Sequence, residues 1–85
     1  MITLADLQPN DIAVIKAFHE NDLDAKAMRR FREMGLTTGT EIKLIRRAPL
    51  NDPIEISVRG ALFSIRGENA KFIEVSQESG DAKEG

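Results

Sequence analysis

The chain has 85 residues, enough for one domain with a small core, because a domain of this size buries only roughly 60–65% of its unfolded surface. It has no cysteine and a single histidine, His19, which excludes a disulfide framework, a thiolate zinc site, an iron–sulfur cluster and a cysteine nucleophile. Hydrophobic residues make up 41% and charged residues 31%, with a net charge of −2; this is a globular composition that argues against a dedicated nucleic-acid binder.

The start, Met1 to Asp6, lacks a basic segment, and no apolar run approaches the ~18–20 residues of a membrane span, so the cytoplasm is the expected compartment. Thr3 and Asp6 are spaced to cap one helical turn over residues 3–8, with Leu4 and Leu7 facing a core. Gln8-Pro9-Asn10-Asp11 reads as a turn, since Pro presets φ and Asn tolerates the left-handed region. Ile12 to Phe18 reads as a strand whose inner face the alternation does not decide.

A helix is predicted over residues 21–35. Asn21 is its expected N-cap, with Asp24 completing a capping box. Leu23, Ala27, Phe31 and Met34 share one face, and Arg29, Arg30 and Arg32 lie toward the C-terminal end, where the dipole favours cations. Gly35 ends the helix, with Leu36 placed to fold back on Phe31 in a Schellman-type contact.

The pattern then changes to period two. Glu41 to Arg47 alternates with Ile42 and Leu44 inside, although Ile45 breaks the register. Ala48 to Pro53 is a loop. Ile54, Ile56 and Val58 form the inner face of one strand and Ala61, Phe63 and Ile65 that of the next, joined by a hairpin at Arg59-Gly60. A turn at Gly67 to Ala70 precedes a last strand over Phe72 to Val75. Five short strands with one inserted helix predict a mainly β fold, a small and partly open barrel in which closure removes most strand edges. The globular domain is expected over 1–75, and 76–85, whose only apolar side chain is an alanine, is expected to be a disordered acidic tail.

The order of these signals resembles the FeoA family, ferrous iron transport protein A. The resemblance runs over about residues 3–75 and is carried by Met28-Arg29-Arg30-Phe31-Arg32-Glu33-Met34-Gly35-Leu36, Thr38-Gly39-Thr40, Ala48-Pro49-Leu50-Asn51-Asp52-Pro53-Ile54, Ala61-Leu62-Phe63-Ser64-Ile65-Arg66 and Ile73-Glu74-Val75. The family pattern has Gly where this chain has Asn10 and Asn51; Asn is the usual substitute for Gly at positive φ. The resemblance implies an SH3-like barrel with an inserted helix. It also implies a cytoplasmic, non-catalytic accessory role beside the FeoB membrane transporter, whose cytosolic part carries a GTPase domain. It brings no catalytic residue, cofactor or metal ligand, and contact with the membrane only through that partner.

The candidate partner-binding residues are Met28, Arg29, Arg30 and Glu33 on the helix, and Pro49, Leu50, Asp52 and Pro53 on the loop. For the arginines, the alternative is a solvated helix end matched to the dipole, with Arg29 and Glu33 as an i,i+4 pair. For Leu50 it is a plug over the barrel mouth, and for Asp52 an Asx-type turn before Pro53. Met28 lies off the main apolar face and is the methionine expected to be exposed. His19, with Glu20, Asp22 and Asp24 nearby, is expected to be solvated rather than a metal ligand.

Three other functions compete. A nucleic-acid-associated small barrel could use Arg46, Arg47 and the helix arginines as a stripe, against the acidic balance and the absence of Tyr and Trp. A proline-peptide adaptor would have to build its groove from Phe18, Phe31, Phe63 and Phe72, of which at least two belong in the core. A direct ferrous-iron carrier would have only carboxylates and one imidazole. Weak pairing of copies, by strand edges or helix faces, is a further expectation.

Overall fold

The computed structural model describes residues 1–77. Thr3 opens the chain as expected: its N–H donates to Asp6 at 2.9 Å, closing a capping box around the 3₁₀ turn Leu4–Asp6 and burying Leu4 and Leu7. Five strands follow in one antiparallel sheet: β1 (Ile12–Phe18), β2 (Glu41–Arg47), β3 (Ile54–Val58), β4 (Ala61–Ile65) and β5 (Ile73–Gln77), in the order β4-β3-β2-β1-β5. α1 (Ala25–Glu33) is inserted between β1 and β2, and α2 (Gly67–Ala70) between β4 and β5. The predicted mainly β fold with one principal helix is the observed one.

Two bulges account for the irregular alternation. The pairing of β1 with β5 shifts between Ile15 and Ala17, and that of β2 with β3 shifts between Leu44 and Arg46. An extra residue at each point lets Ala13 and Ile15, and Ile42 and Leu44, stay buried while the strand bends. Ile45 therefore interrupts the pattern without leaving the strand. β3 alternates cleanly, with Ile54, Ile56 and Val58 buried. In β4 only Ile65 is fully buried; Ala61, next to the hairpin turn, is exposed, contrary to its expected inward placement.

The helix boundaries differ from 21–35. Asp24, not Asn21, is the N-cap, accepting the Ala27 N–H at 2.7 Å. Residues 19–23 form turns instead, through Asp22 N–H to His19 O and Leu23 N–H to Glu20 O. This places Leu23 and Met28 at the two positions of a hydrophobic staple, and both are buried. The C-terminus is as predicted. Gly35 has φ +82, its N–H donates to Arg32 O, and Leu36 N–H donates back to Phe31 O at 2.9 Å, closing a Schellman motif over a buried Leu36.

Residues 67–70, read as a turn, are one turn of helix that buries Ala70. β5 takes in Ser76 and Gln77, two residues assigned to the tail; the remainder of that expected tail, 78–85, lies outside the described residues. The core joins Phe31 and Leu36 to Ile15, Ile42, Ile54 and Ile73 from the sheet. Arg47 secures the N-terminal turn to it by donating to the carbonyls of Ala5 and Leu7 at 2.7 and 2.8 Å.

Candidate interaction surface

The loop after β2 is built to hold one leucine in solvent. Pro49 fixes the first corner, Asn51 N–H closes on Ala48 O at 2.8 Å, and Leu50 is held at φ +71 and ψ +15. Those angles suit the third residue of a type II turn, a place that favours glycine because a Cβ costs about 1–2 kcal/mol there. Leu50 occupies it with 97% of its surface exposed. It does not plug the barrel mouth. Asn51, at φ +67, takes the second left-handed position, which Asn tolerates.

Asp52 does not close an Asx turn. Its Oδ1 accepts the Gly67 N–H at 2.8 Å, fifteen residues away, and so ties the loop to the first residue of α2. Pro53 is half-buried and its carbonyl accepts the Ala48 N–H at 2.9 Å, which closes the base of the loop.

The helix residues divide. Met28 is only 6% exposed, so it belongs to the core and not to the surface, for the staple reason above. Arg29, Arg30 and Glu33 are exposed. Arg30 donates to the carbonyl of Ser64 on β4 at 3.2 Å. Arg32 lies 3.9 Å from Glu20, and among the described residues Arg29 and Glu33 form no ion pair. The loop and the helix thus both attach to the β4–α2 corner, through Asp52 at Gly67 and Arg30 at Ser64. Between α1 and α2 lies a shallow cleft of about 230 Å³, lined by Asp24, Lys26, Arg30, Arg66 and Glu68.

His19 is not simply solvated: its Nε2 is buried without a hydrogen-bond partner and lies 3.5 Å from Glu74. With Asp24 capping α1 and Glu20 beside Arg32, the carboxylates near His19 diverge. Among the described residues no three His, Asp or Glu side chains come together as a metal site. Arg46 pairs with Glu55 at 3.1 Å and Arg47 is turned to the N-terminal carbonyls, so the two do not extend the helix arginines into a stripe. Phe31 is buried and stacks on Phe18 at 6.1 Å, while Phe63 and Phe72 pack against the core.

Sequence reasoning passed over Leu62, Arg59 and Arg66. Leu62 is 63% exposed on β4, and Arg59 Nη1 donates to Gly35 O at 3.4 Å. The available signal was an apolar residue at an outward position of a strand next to a two-residue hairpin.

A family model, the FeoA domain, matches residues 2–77. The solution structure of the FeoA protein from Chlorobium tepidum is 32% identical, covering 94% of this chain and 73% of its own, with a TM-score of 0.84. That of iron(II) transport protein A from Clostridium thermocellum is 29% identical with a TM-score of 0.78; the match covers 89% of this chain and 45% of that one. The zinc complex of Stenotrophomonas maltophilia FeoA is 31% identical over 92% of this chain and 96% of its own, with a TM-score of 0.74. It is described as a prokaryotic SH3 domain protein and suggested as an activating factor of ferrous iron transport. A manganese-dependent transcriptional repressor shares the fold alone, at 18% identity and a TM-score of 0.79. No curated protein matches the chain.

Proposed function

The chain belongs to the FeoA family, and from that membership we propose that it is a cytoplasmic, non-catalytic accessory of ferrous iron uptake that binds the cytosolic, GTPase-containing region of an FeoB-type transporter. The observation that carries the binding part is Leu50. A large apolar side chain is held almost fully in solvent at a backbone angle that disfavours it, on a loop closed at its base and tied to α2. Strain of this kind persists where the surrounding structure enforces it, and a fixed apolar group loses little entropy on docking. Pro49, Leu50, Asp52 and Pro53 form the apolar and rigid part of the surface in this reading, and Arg29, Arg30 and Glu33 its charged part. No helix of the described chain is long and apolar enough to cross a membrane; in this reading the bilayer is met through the partner.

Deleting the protein from its source cell under iron limitation is expected to lower ferrous iron uptake, with uptake restored by the native chain and not by a folded Leu50→Asp variant. Unchanged uptake in the deletion strain contradicts the role; full rescue by Leu50→Asp contradicts the choice of surface.

A further inference from the structure

An open sheet leaves the N–H and C=O groups of its two edge strands unpaired, and here the edges are β5 and β4. β5 is covered by the N-terminal segment: Val75 N–H donates to Ile2 O at 2.9 Å, and Thr3 bridges to Glu74. Among the described residues no main-chain segment covers β4 in this way.

The hairpin fixes which groups β4 presents. Arg59 and Gly60 both have positive φ, +51 and +86, as a two-residue type I′ turn requires. The closing pair Val58–Ala61 is then hydrogen-bonded, and bonded pairs recur at Ile56–Phe63 and Ile54–Ile65. Leu62 and Ser64 fall between them and direct both N–H and C=O away from β3. Arg30 agrees with this parity, since it reaches the Ser64 carbonyl from α1. Among the described residues it makes the one hydrogen bond to the outer edge of β4.

The edge is lined with cations. Arg59 precedes it, with its Nη1 donating to the Gly35 carbonyl at 3.4 Å; Arg30 lies on its Ser64 end; and Arg66, which follows it, lines the cleft beside Arg30; all three are exposed. Glu55, opposite Ser64 on β3, is already paired with Arg46 at 3.1 Å. Glu68 and Asp24 lie beyond Arg66 in the cleft, and Glu33 sits one turn from Arg30 on α1.

We infer that β4 is a strand-docking edge that accepts an extended acidic segment of a partner protein, hydrogen-bonded to Leu62 and Ser64. Its carboxylates meet Arg30, Arg59 and Arg66, and an apolar residue covers Leu62. The Arg30–Ser64 contact is an exposed, exchangeable cover: as the incoming strand takes the Ser64 carbonyl, the guanidinium turns to a carboxylate, a stronger acceptor than the carbonyl it leaves. A second copy is a poor occupant. Two β4 edges paired antiparallel about a twofold axis bring Arg59 of one copy beside Arg66 of the other, and like charges across strands repel. The inference rests on reading the chain as a partner-binding module but not on the partner's identity, so the peptide assay below can fail while transporter capture succeeds.

The test is backbone amide exchange, followed by NMR on the full chain, with a capped peptide of alternating Glu and Val and its Lys/Val counterpart as probes. The Leu62 and Ser64 amides are expected to exchange freely in the protein alone. At a peptide concentration of about twice Kd, the Glu/Val peptide is expected to slow them about threefold, and the Lys/Val peptide to leave them unchanged. Leu62→Pro removes an N–H that β3 does not use, and is expected to abolish the protection while the fold survives. Should that variant unfold, the double variant Arg30→Glu, Arg59→Glu is expected to transfer the protection to the Lys/Val peptide. Absence of protection by the acidic peptide, equal protection by both peptides, or protection that grows with protein concentration alone would each overturn the proposal.

Discussion

Replacing Leu50 by glycine is expected to stabilise the domain and at the same time weaken partner binding. The side chain is 97% exposed, so its removal gives up almost no burial. Its φ of +71 costs about 1–2 kcal/mol for a residue with a Cβ, and glycine removes that cost. Glycine also has the freer unfolded chain, which offsets about 0.4–1 kcal/mol. The net gain is about 0.5–1 kcal/mol, or about 2–8 °C in Tm for a domain of this size. Binding moves the other way. Burying a leucine against a partner contributes about 1.5–3 kcal/mol, so its loss weakens affinity about 10- to 100-fold. Leu50→Ala separates the two effects, because it keeps the strained angle and loses the apolar contact; its stability should lie within about 0.5 kcal/mol of the native chain. Thermal and urea unfolding read the first quantity, and titration with the transporter's cytosolic region reads the second. If Leu50→Gly is destabilised by about 1 kcal/mol or more, the leucine is packed in solution and the reasoning fails.

Arg47→Met keeps the apolar stem but strips both donors from the carbonyls of Ala5 and Leu7, and should cost about 2–3 kcal/mol in urea unfolding; a cost below about 0.5 kcal/mol contradicts the clamp. Phe31→Ala empties a fully buried site stacked on Phe18 and should cost about 3–5 kcal/mol, enough to leave a domain of this size partly unfolded at 37 °C. Gly35→Ala puts a Cβ at φ +82, with the movable end of Arg59 3.3 Å away; the strain of about 1–2 kcal/mol, less the entropy the unfolded chain loses, should lower stability by about 0.5–1 kcal/mol without altering the fold seen by circular dichroism.

Local chemistry made most of the fold legible. The Thr3–Asp6 box, the Gly35–Leu36 helix end, the Arg59-Gly60 hairpin and the alternation of β3 are set by neighbours in sequence, and each stands where its residues predicted. What failed depends on tertiary choice. Asn21 and Asp24 are both competent caps, and the chain selects Asp24 because that start buries Leu23 and Met28 together. Met28 left the candidate surface for the same reason. Asp52 shows a second kind of limit: its partner is the Gly67 amide, and no local rule connects positions fifteen apart. The bulge in β1 hid which of its residues face inward, since an inserted residue reverses the parity that alternation relies on; the bulge in β2 explains only the break at Ile45, and Ile42 and Leu44 stand inside as predicted. Leu50 was legible as a residue but not as a strained one, because its angle follows from how the whole loop closes.

The central claim is that this chain acts by binding the ferrous transporter through its loop and helix surface. The most direct measurement is capture of membrane proteins from the source cell on the tagged native chain, beside a Leu50→Asp, Arg30→Glu variant shown to remain folded. The account predicts recovery of an FeoB-type transporter by the native chain and its loss with the variant. Recovery of no transporter, or equal recovery by both chains, contradicts it: the first denies the partner, the second the surface.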